Sequence, residues 1–353
     1  MRVLMVGVDK QTKGGMWTVA ENYLRSEAFV EQTHLEYIAT SITGSIVRRV
    51  VFTAGALVKI FTRLLRCRYE IVHVHMAERG SVYRKNIVIH LAKLLGCKVV
   101  VHMHGAEFET WYQTLSPRKK QGVCRILCKA DRVLILGHYW QAFIQSLVSD
   151  PNRVRVMHNA VDVPGENRYD PAAHNMLFLG VVGKRKGILD LLDAVKLADR
   201  QLQQNTKLMI YGLESDVNIQ TAIAERSLEH RVEYRGWLSE DERAEVFRET
   251  AVNILPSYNE GLPMTILETM AQGIPNITTN VAAIPEAVDQ ENGAVLSPGN
   301  TEGLAQAILE LMNDPMGRKQ KSQAAYEKAK SEFSIDKHVM RILDIYRELE
   351  PET

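Results

Sequence analysis

Glu260 and Glu268 stand with seven residues between them in PSYNEGLPMTILETMAQGIPNITTNVAAIPEAV, the stretch Pro256 to Val288, which follows the strand-like VNIL. Gly261 marks a turn and a helix opens near Pro263, so Glu260 falls in a strand-to-helix loop. Eight positions are a little over two helical turns, which puts Glu268 on the same side, deeper in. The N–H groups of Gly261, Leu262, Met264 and Thr265 then point toward a ligand. A helix N-terminus of this kind favours phosphate through its backbone donors and its dipole. Carboxylates beside it suit sugar hydroxyls instead. The pair also reads as a helix cap plus a solvated glutamate.

A second segment, FLGVVGKRKG from Phe178 to Gly187, runs a strand into a loop carrying Lys184, Arg185 and Lys186. Cations there suit a diphosphate, or form a solvated basic loop. Gly14 and Gly15 follow the first strand, where glycine allows close backbone approach to a ligand, or an ordinary turn. His104 precedes Gly105 at the carboxyl end of the strand VVVHM, where ligand-binding residues of open sheets sit. His73 and His75, two apart on a strand, share a face and read as core histidines. No Asp-x-Asp pair and no His/Cys/Asp cluster at ligand spacing suggests a metal.

The elements that position these residues alternate. Short β-branched runs at Val3–Val8, Thr33–Ala39, Ile71–His75, Val99–Met103 and Arg132–Leu136 are separated by helical periods, which implies βαβ units on a parallel sheet. The polar VPGENRYDPAA, Val163 to Ala173, reads as a linker. Alternation restarts at Met176, and Thr301 to Leu349 reads as nearly all helix. The expectation is an α/β protein with two doubly wound domains, 1–165 and 172–334, facing across a cleft. The whole chain of 353 residues has a net charge of +1, but residues 1–170 carry +10 and the rest −9. That asymmetry suggests different partners for the two halves. The four cysteines read as reduced thiols of a cytosolic protein, and the longest apolar stretch, Val50 to Phe61, is too short to span a membrane.

The order and spacing of these motifs from Val3 to Leu349 resemble the retaining glycosyltransferases of family 4. The resemblance rests on Glu260-x7-Glu268, AQGIPNITTN, IPEAV, the double glycine, the His104–Gly105 pair, the loop ending Lys186–Gly187, NGAVLSPGN and the closing FSIDKHVMRILDIYREL. It implies the GT-B fold of two Rossmann-like domains, with a last helix, 335–349, returning to the first. It implies transfer of a hexose from a UDP- or GDP-linked sugar to a glycan or lipid-linked acceptor of surface polysaccharide biosynthesis, with retention and without metal or other cofactor. By that resemblance Glu268 holds the ribose hydroxyls and Glu260 faces the donor sugar. Gly261, Leu262, Met264 and Thr265 take sugar and phosphate oxygens, Lys186 neutralises the diphosphate, Gly14–Gly15 closes over it, and His104 bonds a sugar hydroxyl.

Three departures stand out. Val181 replaces the family's usual arginine, a loss that Lys184 or Arg185 could make good. Ala282–Ala283 stands where Gly-Gly is common, and Gly137–His138 where a serine often ends the strand. Two other readings share the fold: a sugar-nucleotide epimerase, and a non-enzymatic glycan- or nucleotide-sugar-binding partner of an active paralogue.

The helical stretch Ile46–Arg66 completes the picture. On a wheel of about 100° per residue, Lys59 and Arg66 fall within about 20° of Arg48, Arg63 near 60° and Arg49 near 100°. Val50, Ala54, Leu57, Val58, Phe61, Leu64 and Leu65 cluster opposite, with Phe52 among the cations. The expectation is an apolar face packed on the sheet and a cationic stripe turned toward the anionic cytoplasmic leaflet, making the protein peripheral on that face. Arg118, Lys119, Lys120, Arg125 and Lys129 form a second basic group. No aromatic platform interleaves these charges, which argues against nucleic acid.

Overall fold

The computed structural model describes residues 1–12 and 15–350, and it divides into two compact units. Gly14 lies outside the described residues. The first unit comprises residues 1–160 and the chain from Ile335 onward; the second is Val161–Ser334.

The first unit runs β1 (Val3–Gly7), α1 (Gly15–Arg25), α2 (Glu27–Thr33), β2 (Glu36–Ala39), α3 (Ile46–Arg66), β3 (Ile71–Met76) and α4 (Gly80–Leu94). It continues through β4 (Lys98–Met103), α5 (Phe108–Gln113), α6 (Pro117–Leu127), β5 (Arg132–Ile135), α7 (Gln141–Gln145) and β6 (Val154–Val156). All neighbours pair parallel in the order β2-β1-β3-β4-β5-β6. Parallel strands covered by helices on both faces need continuous apolar runs. β1 and β3 are buried at every position. The expected strand from Thr33 starts at Glu36, because Ser26 caps a short helix over Glu27–Thr33.

The second unit begins with β7 (Asn175–Leu179), α8 (Ile188–Ala198), β8 (Leu208–Tyr211), α9 (Ile219–Glu225), β9 (Val232–Gly236) and α10 (Glu240–Glu249). Then come β10 (Thr250–Leu255), α11 (Met264–Ala271), β11 (Asn276–Thr279), α12 (Ile284–Ala287), β12 (Gly293–Leu296), α13 (Thr301–Asn313) and α14 (Pro315–Glu332). Its strand order, β12-β11-β10-β7-β8-β9, reverses direction at β10/β7. Ligands of doubly wound sheets sit beyond the carboxyl ends of the strands at such a switch point. The last helix, α15 (Ile335–Arg347), belongs to the first unit. Its His338 Nε2 lies 2.5 Å from the Tyr23 hydroxyl and its Tyr346 hydroxyl 2.5 Å from His73 Nδ1.

One expectation is overturned. The apolar face of α3 does not pack on the sheet: only Ala56, Ile60 and Leu64 are buried, while Val47, Val50, Val51, Val58, Phe61 and Leu65 are exposed. The helix lies over β2, an edge strand, so only a narrow strip of it is covered. Arg63 leaves the expected cationic stripe because Glu36 on β2 takes its guanidinium, Nε to Oε2 at 2.9 Å. Phe52 is half-buried rather than standing among exposed cations. Among the described residues, no helix is long and apolar enough to cross a membrane.

Candidate functional site

The switch point of the second sheet sets two loops side by side. One leaves β7 and carries Lys184, Arg185 and Lys186; the other leaves β10 and carries Glu260 and Gly261 before α11 begins. They are joined by one backbone bond and one from a side chain. The Tyr258 N–H donates to the Arg185 carbonyl at 2.9 Å, and Arg185 Nη1 donates to the Asn259 carbonyl at 2.8 Å. Gly187 permits this approach: its φ is +71°, and a Cβ there would stand 2.0 Å from the Pro256 carbonyl oxygen. Only glycine tolerates both conditions cheaply.

Lys186 and Glu260, 74 positions apart, form an ion pair between their Nζ and Oε1 atoms, with side chains 13% and 7% exposed. Ser257 Oγ donates to the same carboxylate oxygen at 2.7 Å. The residues that the resemblance assigns to the diphosphate and to the donor sugar thus hold each other in the ligand-free site. Lys184 and Arg185 are exposed beside them and, with Gly187, Asp190 and Tyr258, line an open groove. Val181 is exposed at the start of the same loop.

Helix α11 opens after Pro263, and its first backbone bond runs from the Leu267 N–H to the Pro263 carbonyl. The amides of Met264 and Thr265 precede that ladder and belong to the donor-rich end. Leu262 and Met264 bury their side chains, and Thr265 is half-buried. Glu268, about one turn into the helix, accepts from Arg243 Nη1 of α10 at 2.8 Å. Burial pushes its carboxyl above the usual range, opposed by the Arg243 charge. Ala282, standing where the resemblance has glycine, adopts φ +50°, while Ala283 is ordinary. That left-handed backbone costs a non-glycine residue about 1 kcal/mol.

In the first unit His104 follows β4 and its Nε2 lies 2.8 Å from His75 Nδ1. Burial and the nearby His338 pull its pKa down to about 3. Gly15 begins α1. His138 lies in the loop after β5, its Nδ1 2.9 Å from Gln141 Oε1. His73, His75 and His102 bring ring nitrogens within 4.8 Å of one another. The His73 and His75 rings stack at 20° and those of His75 and His102 at 27°. The His73 and His102 rings are tilted by 44°, with His73 Nε2 3.3 Å from His102 Nδ1, so the three form a buried imidazole cluster.

Sequence reasoning missed Ser257, Arg243 and two groups of the first unit. Lys85 is buried and donates to Thr40 Oγ1 at 2.5 Å and the Gly7 carbonyl at 3.2 Å; burial drives its pKa well below normal. Glu78 lies against Gly105, with Oε2 buried and without a hydrogen-bond partner among the described residues. Nothing in their local sequence distinguishes these from surface charges.

Residues 167–331 match the family model of the group 1 glycosyl transferases, and residues 22–163 that of glycosyltransferase family 4. An uncharacterised 41.2 kDa protein from the cps region of Klebsiella pneumoniae is 24% identical over 97% of this chain and 99% of its own. The UDP-Gal:alpha-D-GlcNAc-diphosphoundecaprenol alpha-1,3-galactosyltransferase of Escherichia coli is 25% identical over 82% of this chain and 78% of its own. The structure of HepE from Anabaena in complex with UDP is similar with a TM-score of 0.76 at 16% identity, covering 99% of this chain and all of that one. That likeness is one of fold: the two parallel sheets are those of the GT-B architecture. With one family model on each half, the chain belongs to the glycosyltransferases, of family 4 in its first domain and of group 1 in its second.

Proposed function

We propose that the protein moves a hexose from a nucleoside-diphosphate sugar to a hydroxyl of a glycan or lipid-linked acceptor, with retention and without a metal ion, in surface polysaccharide assembly. The observation that carries this reading is the Lys186–Glu260 pair at the switch point of the second sheet, beside the donor-rich end of α11. A diphosphate entering there takes the Lys186 ammonium and the α11 amides, and Glu260, released, accepts from donor-sugar hydroxyls. Glu268, held by Arg243, accepts from the ribose. Charge develops on the leaving diphosphate, so Lys186 and the helix terminus supply the main stabilisation of the transition state. Lys184 or Arg185, both exposed on the same loop, is the candidate to replace the cation lost at Val181. By the family resemblance His104, neutral at physiological pH, is the first unit's candidate to bond a sugar hydroxyl. Retention follows a front-face route in which a leaving-diphosphate oxygen takes the acceptor proton.

UDP is the favoured nucleotide, since the Escherichia coli relative is named for UDP-Gal and HepE binds UDP. The work is done in the cytoplasm, at the inner face of the membrane where a lipid-linked acceptor is presented. The test is release of nucleoside diphosphate from UDP-, GDP-, ADP- and dTDP-sugars, with and without EDTA. Turnover of one donor, unaffected by chelation, is the expected result; release from none, with or without added acceptor lipid, refutes the reading.

A further inference from the structure

Among the described residues, nothing covers the outward face of α3. Val47, Val51 and Val58 are 72%, 66% and 64% exposed. On a wheel of about 100° per residue, these three fall with Val50, Phe61 and Leu65 inside an arc of about 100°. The buried residues Ala56, Ile60 and Leu64 occupy a separate arc. Arg48, Lys59 and Arg66 lie together along one border of the apolar arc, all exposed. The helix contains no acidic residue from Ile46 to Arg66. Helix α4, which packs against α3, adds exposed Tyr83, Ile87 and Leu94 on one of its own faces.

We infer that α3 lies in the plane of an anionic bilayer, its apolar arc among the acyl chains and its cationic border at the headgroups. This deepens, and rests on, the reading of a lipid-linked acceptor. Three features select a bilayer over a protein partner. The apolar arc runs the whole helix, about 30 Å at 1.5 Å per residue. Its charged border carries one sign only, which complements a surface of anionic headgroups. A strongly polar face beside an apolar one is the pattern of helices that lie in the interface rather than span it. The first turns of α3 also wall an open groove with Ile42, Phe52 and Asp9. Val47 and Val51 belong to both features, so an acceptor anchored in the bilayer meets the groove at the seated helix. The hydrophobic part of the contact comes from the exposed valines, Phe61 and Leu65, rather than from Phe52 within a cationic stripe as the sequence suggested.

The test is co-sedimentation with vesicles of phosphatidylcholine alone and mixed with phosphatidylglycerol, at about 0.1 M and 1 M salt, where the Debye length falls from ~10 Å to ~3 Å. The intact chain should pellet with the anionic vesicles and retain part of that binding at high salt. Arg48→Glu/Lys59→Glu should lower the partition at low salt by at least about tenfold. Val51→Asp/Val58→Asp should remove the salt-resistant part; both sites are exposed, so the fold tolerates the change. A wild-type chain that stays in the supernatant, or variants that pellet unchanged, would overturn the inference. So would a dimer by light scattering that Val51→Asp/Val58→Asp splits, since the stripe would then serve a second copy. Calorimetry with UDP or GDP on the same variants reads the donor site separately. Lost pelleting with intact nucleotide binding isolates α3, and intact pelleting without nucleotide binding strikes only the transferase reading.

Discussion

Replacing Glu260 by glutamine should make the protein bind UDP more tightly while slowing transfer. In the ligand-free site the Glu260 carboxylate is the counterion of Lys186, and both side chains are almost withdrawn from water. A diphosphate must take the ammonium from it and then sit beside a displaced anion. Hydrogen bonds to charged groups are worth ~1.5–3 kcal/mol net, so the competing pair holds back about one to two decades of affinity. Glutamine keeps the shape and can accept from Ser257 Oγ but carries no charge. The expected gain in UDP affinity is therefore of that order, read by titration calorimetry. Turnover should fall in the same variant, because an amide accepts more weakly from the sugar hydroxyls.

Lys186→Ala supplies the opposite arm. It strands Glu260 buried and without its cation, and should weaken UDP by about the same amount. In the double variant Lys186→Ala/Glu260→Gln, most of the gain from glutamine should vanish, since no lysine is left to release. The cycle isolates the coupling between the two side chains. UDP affinity unchanged or weakened by Glu260→Gln alone would refute the competition.

Three further outcomes are expected. Glu268→Ala should cost ~1.5–3 kcal/mol of UDP affinity, and Arg243→Ala part of that, because Arg243 fixes the carboxylate; calorimetry giving Arg243→Ala the larger loss would reverse their roles. Of Lys184→Ala and Arg185→Ala, the one that compensates for Val181 should lower turnover as severely as Lys186→Ala; two mild variants would mean that the missing cation is not replaced. His73, His75, His102 and His338 are held neutral by burial, with His73 near pKa 3 and His338 near 4, so stability is full above about 6.5 and falls as acid protonates the unfolded chain, by up to ~1.4 kcal/mol per pH unit per histidine; urea midpoints that stay flat from pH 7 to 5 would refute this.

The alternation of apolar runs was legible because each buried parallel strand needs one, and the Glu260/Glu268 loop because its turn and helix are local. What one segment does to another was not. Lys186 and Glu260 each carry a ligand-like signature, but their pairing depends on β7 lying beside β10, a strand order that no stretch of sequence encodes. Arg243 sits in EDERAEVFRE, where it looks like a solvated helix charge. The α3 wheel grouped Leu64 with Val50, Val58, Phe61 and Leu65, whereas Leu64 is buried with Ala56 and Ile60 and the other four face outward. A wheel has no outside reference: Glu36 and Tyr69, which draw Arg63 inward, come from a neighbouring strand and loop. Ala282 shows the converse, a left-handed position kept without the glycine that usually marks it.

The donor loops owe their shape to contacts that need no ligand. Gly187 lets the cationic loop press on the Pro256 carbonyl, and the Tyr258 N–H and the Arg185 guanidinium tie the two loops through backbone carbonyls. Gly212 does the same after β8, where φ is +145° and a Cβ would stand 1.7 Å from the Gly180 carbonyl oxygen. These contacts fix the Lys186 backbone relative to the end of α11 without a ligand, so the proposed diphosphate site would need little reorganisation. Electrostatic catalysis depends on such prior ordering. The contact that the proposed reading requires to change is the ion pair between the Lys186 and Glu260 side chains. On the proposed reading, binding energy from the diphosphate would be spent on parting Lys186 from Glu260, freeing the carboxylate only when a donor is present.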